Sequence, residues 1–87
     1  MTLNIEELKR KILYRSSYRG TKEMDILLLS FVKSIFDKLN KDELNDLLNL
    51  VNIDDDNLYK FKNGLKTNIE IHKNDISKLF RNYILNQ

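Results

Sequence analysis

Arg19-Gly20-Thr21-Lys22-Glu23 sets a cation, a glycine and an anion within five residues, just ahead of a long apolar run. A guanidinium is a planar fork of donors that suits a carboxylate or a carbonyl. Glycine leaves the backbone bare and approachable. Glu23 lies one helical turn from Arg19 and can orient it or pair with a base on another molecule. Tyr18 and Asp25 flank the group. Such groups could recognise a partner, and composition and spacing leave open whether they do. The same residues also have a purely local explanation, as the stop of one helix and the start of the next.

The other candidates for chemistry are weaker. Asp54-Asp55-Asp56 gathers three carboxylates, but a calcium loop needs alternating oxygens, a central glycine and a closing glutamate, and none follows. The triplet reads better as an acidic helix start. His72 is the single histidine, so no histidine pair or HExxH can be built, and a loop position in solvent is expected for it. Gly20 and Gly64 are far apart, so no glycine-rich phosphate loop exists. Lys9, Arg10, Lys11, Arg15 and Arg19 cluster in sequence, but consecutive residues fan around a helix, which makes them a solvated surface. No catalytic constellation emerges, and an enzyme is the least favoured class.

A chain of 87 residues suffices for one domain spanning 1–87. A chain of this size buries roughly 60–65% of its unfolded surface, enough for one modest core. Hydrophobic residues make up 41%, which argues against disorder. No cysteine is present, which excludes disulfides and thiolate sites. The net charge of +2, from 15 basic and 13 acidic residues, is small for a dedicated nucleic-acid binder. The opening MTLNIEELKRK lacks a secretory pattern, and no apolar run is long enough to span a bilayer. A soluble cytoplasmic protein is expected, without membrane insertion.

Apolar spacing is helical almost throughout. A first helix is expected over about Ile5–Tyr18, capped by Asn4 with Glu7, and ended by Gly20 in the left-handed conformation. A second, central helix is expected over about Lys22–Leu39, capped by Thr21. A third follows Asn40, paired with Glu43 as a capping box. A fourth follows the Asp triplet and stops near Asn63-Gly64. The segment 65–73 reads as a connection with Ile69 and Ile71 packed inward. A fifth helix starts near Asn74 or Asp75 and uses Ile76, Leu79, Phe80, Tyr83 and Ile84. Tyr14, Phe31, Phe36, Tyr59, Phe61, Phe80 and Tyr83 sit mainly at core spacing. The expected fold is all-α, a compact single-domain bundle of about five short helices.

The order of these motifs carries a resemblance. KILYRSSYRGTKEMDILLLSFV resembles the N-terminal signature of the FAD assembly factors of succinate dehydrogenase. These are also called flavinators, or succinate dehydrogenase assembly factor 2 in mitochondria, and some bacterial members have been described as antitoxins. The hallmark Arg-Gly-x-x-Glu falls on Arg19, Gly20 and Glu23, followed by Met24-Asp25. FDKLNKDELNDLLNLVNIDDDNLYKF resembles the second family block. Asp56 stands where the family often has Pro, and Phe61 where it often has Trp. The resemblance covers residues 8 to 64 and is weak from Gly64 onward.

The resemblance implies a non-catalytic helper. It would bind the flavoprotein subunit of succinate dehydrogenase transiently, and in some members that of fumarate reductase, and promote covalent attachment of FAD to a histidine of that client. FAD would be the client's cofactor, with none held stably by this chain. A monomer in the bacterial cytoplasm is implied. Partner binding would fall on Arg19, Gly20, Glu23, Tyr18 and Asp25, and Arg19→Ala should then weaken client binding with thermal stability nearly unchanged. Two other classes stay open on sequence alone: an antitoxin, and a small helical nucleic-acid-binding or regulatory protein. A helix-turn-helix around Gly20 is disfavoured because the helix after it is too apolar for a major groove.

Overall fold

The computed structural model describes residues 4–17 and 19–85. Five α-helices make up the bundle: α1 (Ile5–Ser17), α2 (Lys22–Ile35), α3 (Lys41–Val51), α4 (Asp55–Lys62) and α5 (Asp75–Asn82). A 3-10 turn, Phe36–Lys38, extends α2. No strand occurs among the described residues. The expected Tyr18 lies outside them.

The polar residues flanking each apolar stripe set the starts of the helices. The Asn4 side chain accepts from the Glu7 amide at 2.8 Å. Thr21 accepts from the Met24 amide at 3.3 Å. Asn40 and Glu43 form a complete capping box, and Asn74 and Ser77 form another. Asp54 accepts from the Asn57 amide at 3.2 Å and caps α4. Each such cap is worth about 1 kcal/mol because it satisfies an amide that the helix leaves without a partner.

The ends are more varied. α4 closes through Gly64 at φ 71°, where the Leu65 amide donates to the Lys60 carbonyl at 2.8 Å and the Gly64 amide to Phe61 at 3.2 Å. That is the Schellman closure, and the left-handed conformation requires glycine there. Gly20, expected to end α1 in the same way, does not have a positive φ. The regular part of α2 stops at Ile35, short of the expected Leu39. The chain tightens to the 3-10 turn, and Leu39 goes extended to deliver Asn40 as the next cap.

The core draws on every helix: Leu8 and Ile12; Met24, Leu28, Phe31 and Val32; Leu44, Leu47, Leu50 and Val51; Leu58; Ile76 and Phe80. Each fully buried Leu, Ile or Phe contributes about 1.5–3 kcal/mol relative to exposure. Phe31 meets Phe80 and Tyr83 edge-on, with both centroid distances 5.3 Å. α1 packs against both α2 and α3, and α3 also against α5, so the central place expected of α2 is held by α1 and α3, with α2 giving Phe31 to the aromatic cluster. Several expectations fail at the surface. Ile69 is exposed and only Ile71 is half-buried. α5 stops at Asn82, short of Ile84, which is exposed, and Leu79 within the helix faces outward as well. Tyr14 and Tyr59 also face outward rather than inward.

Candidate functional site

The Arg-Gly turn joins α1 to α2 where α3 ends and α4 begins. Arg19 follows the end of α1, and its guanidinium runs inward, with the side chain only 8% exposed. Nε donates to Asp55 Oδ1 at 2.8 Å. Nη1 donates to the Arg15 carbonyl at 3.1 Å and to that of Val51, and Nη2 donates to that of Ile53. The carbonyls of Arg15 and Val51 belong to the last turns of α1 and α3, where carbonyls lack intrahelical partners and the dipole is negative. Asp55 sits in the first turn of α4, where the dipole favours an anion. One cation therefore ties the ends of α1 and α3 to the start of α4.

Asp55 in turn holds the backbone of the turn. Its Oδ2 accepts from the Gly20 amide at 2.7 Å and the Thr21 amide at 3.1 Å. The Arg19 amide donates to Asp25 Oδ1 at 2.6 Å. All three amides of residues 19–21 thus end on carboxylates. The reason for glycine at position 20 follows. A Cβ there would lie 3.2 Å from Asp55 Oδ2, tighter than ordinary contact. Gly20 leaves room for the close approach of a carboxylate and does not serve a left-handed turn, which corrects the sequence expectation.

Among the five residues singled out from sequence, Gly20 and Glu23 are exposed. Glu23 has no hydrogen bond or ion pair among the described residues. Asp25 is half-buried, occupied by the Arg19 amide. Tyr18 lies outside the described residues. Arg19 differs most from its expected setting, because its donor fork is directed into the fold rather than outward. Nearly unchanged stability on Arg19→Ala is therefore not what this geometry implies.

Beside the turn, α2 and α4 bound an open groove of about 810 Å³. Met24 and Leu27 form its apolar wall on α2, and Tyr59, 59% exposed, faces it from α4. Gly20, Thr21 and Glu23 line the same groove, as does Lys62. Sequence reasoning missed Asp55, Tyr59 and Leu27 as parts of one surface. Nothing local joins them to Arg19-Gly20, since Asp55 lies 36 residues beyond Arg19.

The Asp triplet resolves into three separate tasks. Asp54 caps α4 and bonds Asn57 Nδ2 at 2.8 Å, Asp55 takes the Arg-Gly turn, and Asp56 pairs with Lys60 at 3.0 Å. The hydrogen bonds from the Asn57 side chain and amide hold the Asp54 carboxyl below the ordinary value of 3.8. No group of three His, Cys, Asp or Glu placed to hold a metal occurs among the described residues. No helix among them is long and apolar enough to cross a membrane. His72 lies on the surface of the 65–73 connection.

The comparisons with known proteins agree with this motif. The sequence profile of the family described as flavinator of succinate dehydrogenase matches residues 10–84, well past the Gly64 limit of the motif resemblance. The FAD assembly factor SdhE of Acetobacter pasteurianus is 34% identical over 55 residues, 63% of this chain and 50% of that protein. The matched region thus spans about half the length of this curated relative. No solved structure matches. With the profile covering most of the chain, including the Arg19-Gly20 turn and Glu23, this protein belongs to the succinate dehydrogenase flavinator family.

Proposed function

We propose that this chain is an assembly factor that binds the flavoprotein subunit of succinate dehydrogenase and promotes covalent attachment of FAD to it. The observation that carries this reading is the Arg-Gly turn itself. Its amides are anchored on carboxylates, while Gly20, Thr21 and Glu23 are left exposed beside an apolar groove. That is a surface ordered for contact. Glu23 supplies an unpaired anion for a basic group of the client, and Leu27 and Tyr59 supply apolar area. The bond to flavin forms on the client, so this chain needs no catalytic group and is not an enzyme in this reading. FAD is the cofactor of the client. The complex is transient, the free protein is a monomer of the bacterial cytoplasm, and the fumarate reductase flavoprotein is a second client.

α2 buries Met24, Leu28, Phe31 and Val32 in the core, so the helix after Gly20 is not presented as a DNA-reading helix. The test is co-expression with a succinate dehydrogenase flavoprotein subunit, reading covalent flavin by fluorescence in a denaturing gel. More covalent flavin than in the client alone is expected. No gain would sink the proposal.

A further inference from the structure

We infer that Asp55 is the positioning residue of client recognition, with Arg19 as its partner in a clamp, while the contacts themselves are made by Gly20, Thr21 and Glu23. This rests on the client reading above and deepens it. The family resemblance assigns the motif's arginine to the partner-binding surface of this chain. Here its side chain is 8% exposed, and Nε, Nη1 and Nη2 are all engaged within the fold.

The work is divided between the two oxygens of Asp55. Oδ1 takes Arg19 Nε, and Oδ2 takes the amides of Gly20 and Thr21. The carboxylate therefore fixes where the turn leaves α1 and where it enters α2. Glu23 is the second residue of the helix that Thr21 caps, so its direction depends on that entry. Asp55 itself is only 19% exposed in its side chain. No acceptor other than a carboxylate offers two oxygens to three such donors. An asparagine has one oxygen, and its NH2 would meet either the guanidinium or the two amides.

The experiment compares four full-length proteins: wild type, Asp55→Asn, Glu23→Ala and the core variant Ile76→Val. Each is measured below its melting transition, for affinity to a purified succinate dehydrogenase flavoprotein subunit and for amide exchange at Gly20 and Thr21. Asp55→Asn should lose at least tenfold in affinity, with exchange at Gly20 and Thr21 at least tenfold faster. Glu23→Ala should lose affinity while exchange there and the melting temperature stay as in wild type. Ile76→Val should lower the melting temperature and keep both the affinity and the two protected amides.

Wild-type affinity and protection in Asp55→Asn would overturn the inference while leaving the client reading intact. The same affinity loss in Ile76→Val would also overturn it, by showing that stability alone sets binding. A wild-type protein that binds no flavoprotein overturns the client reading, and this inference with it. If Asp55→Asn does not fold, Asp55→Glu keeps the charge but displaces both oxygens by a methylene, and the same outcomes decide.

Discussion

Two basic side chains close helix ends in this bundle, and they do so under opposite electrostatic terms. Arg19 gathers carbonyls from α1 and from the end of α3, with Asp55 as a carboxylate partner. Lys62, from α4, gathers the carbonyls of Phe80 at 2.8 Å, Arg81 at 3.3 Å and Tyr83 at the end of α5. Its ammonium also lies 5.1 Å from the centre of the Phe80 ring. No carboxylate joins Lys62 among the described residues, and burial lowers its pKa from the ordinary 10.5. The arginine clamp is therefore a neutralised pair that orders a surface turn. The lysine clamp is a lone cation that seals a helix end and bears a desolvation cost.

The comparison breaks first at Arg19. Arg19→Ala leaves the Asp55 carboxylate without its guanidinium and removes the donors from three carbonyls. Removing one partner of a largely buried pair costs on the order of 3 kcal/mol. In a chain of this size that lowers the melting temperature by roughly 12–24 °C. A differential scan checks it, and an unchanged transition would restore the outward-facing arginine expected from sequence.

Lys62→Met should cost less, about 1 kcal/mol, because the stem is kept and water can reach the end of α5. Its pH behaviour sharpens the contrast. Burial depresses the folded pKa below the unfolded value of 10.5, so the unfolded state binds more protons between the two. Stability of the wild type relative to Lys62→Met should therefore rise as pH climbs through the folded pKa towards 10.5. Denaturant midpoints of both proteins at several alkaline pH values decide it. A relative fall would mean that the three carbonyls outweigh desolvation and hold the ammonium charged.

The smallest effect is expected at Asp54. Its folded pKa lies below 3.8, chiefly through the Asn57 side chain, so its contribution is complete above 3.8 and fades as pH falls through the folded value. Asp54→Asn should flatten that part of the acid limb of the stability curve, read by circular dichroism below pH 4. An unaltered acid limb would remove Asp54 from the account.

How much of this was legible beforehand follows from distance along the chain. The caps at Asn4, Thr21 and Asn40 act over three residues, and residue type alone announces them; the acidic triplet and Asn74-Asp75 announced a helix start without singling out Asp54, and α4 begins inside the triplet at Asp55. The apolar stripes of α2 and α3 were equally plain, because burial follows the helical repeat. The motif Arg19-Gly20-x-x-Glu23 was visible too, together with the family it signals. What could not be read is the destination of a long side chain. Arg19 reaches Asp55, and Lys62 reaches Tyr83, across helices whose packing no local spacing encodes. Gly20 shows the same limit, since its local explanation was a backbone angle and its actual one is a carboxylate from another helix. The early stop of α5 follows from tertiary contacts as well. Tyr83 leaves the helix, meets Phe31 edge-on and bonds its hydroxyl to Ser30 at 2.6 Å.

The anchored amides of residues 19–21 have a kinetic consequence for any partner. A segment that must order as it docks adds that ordering to the encounter. Here it is complete once the chain has folded. On this side association needs only orientation of a preformed patch, and docking of specific patches typically proceeds at about 10⁵–10⁷ M⁻¹s⁻¹. Under the function proposed above, a small open surface that is ordered in advance suits brief contact.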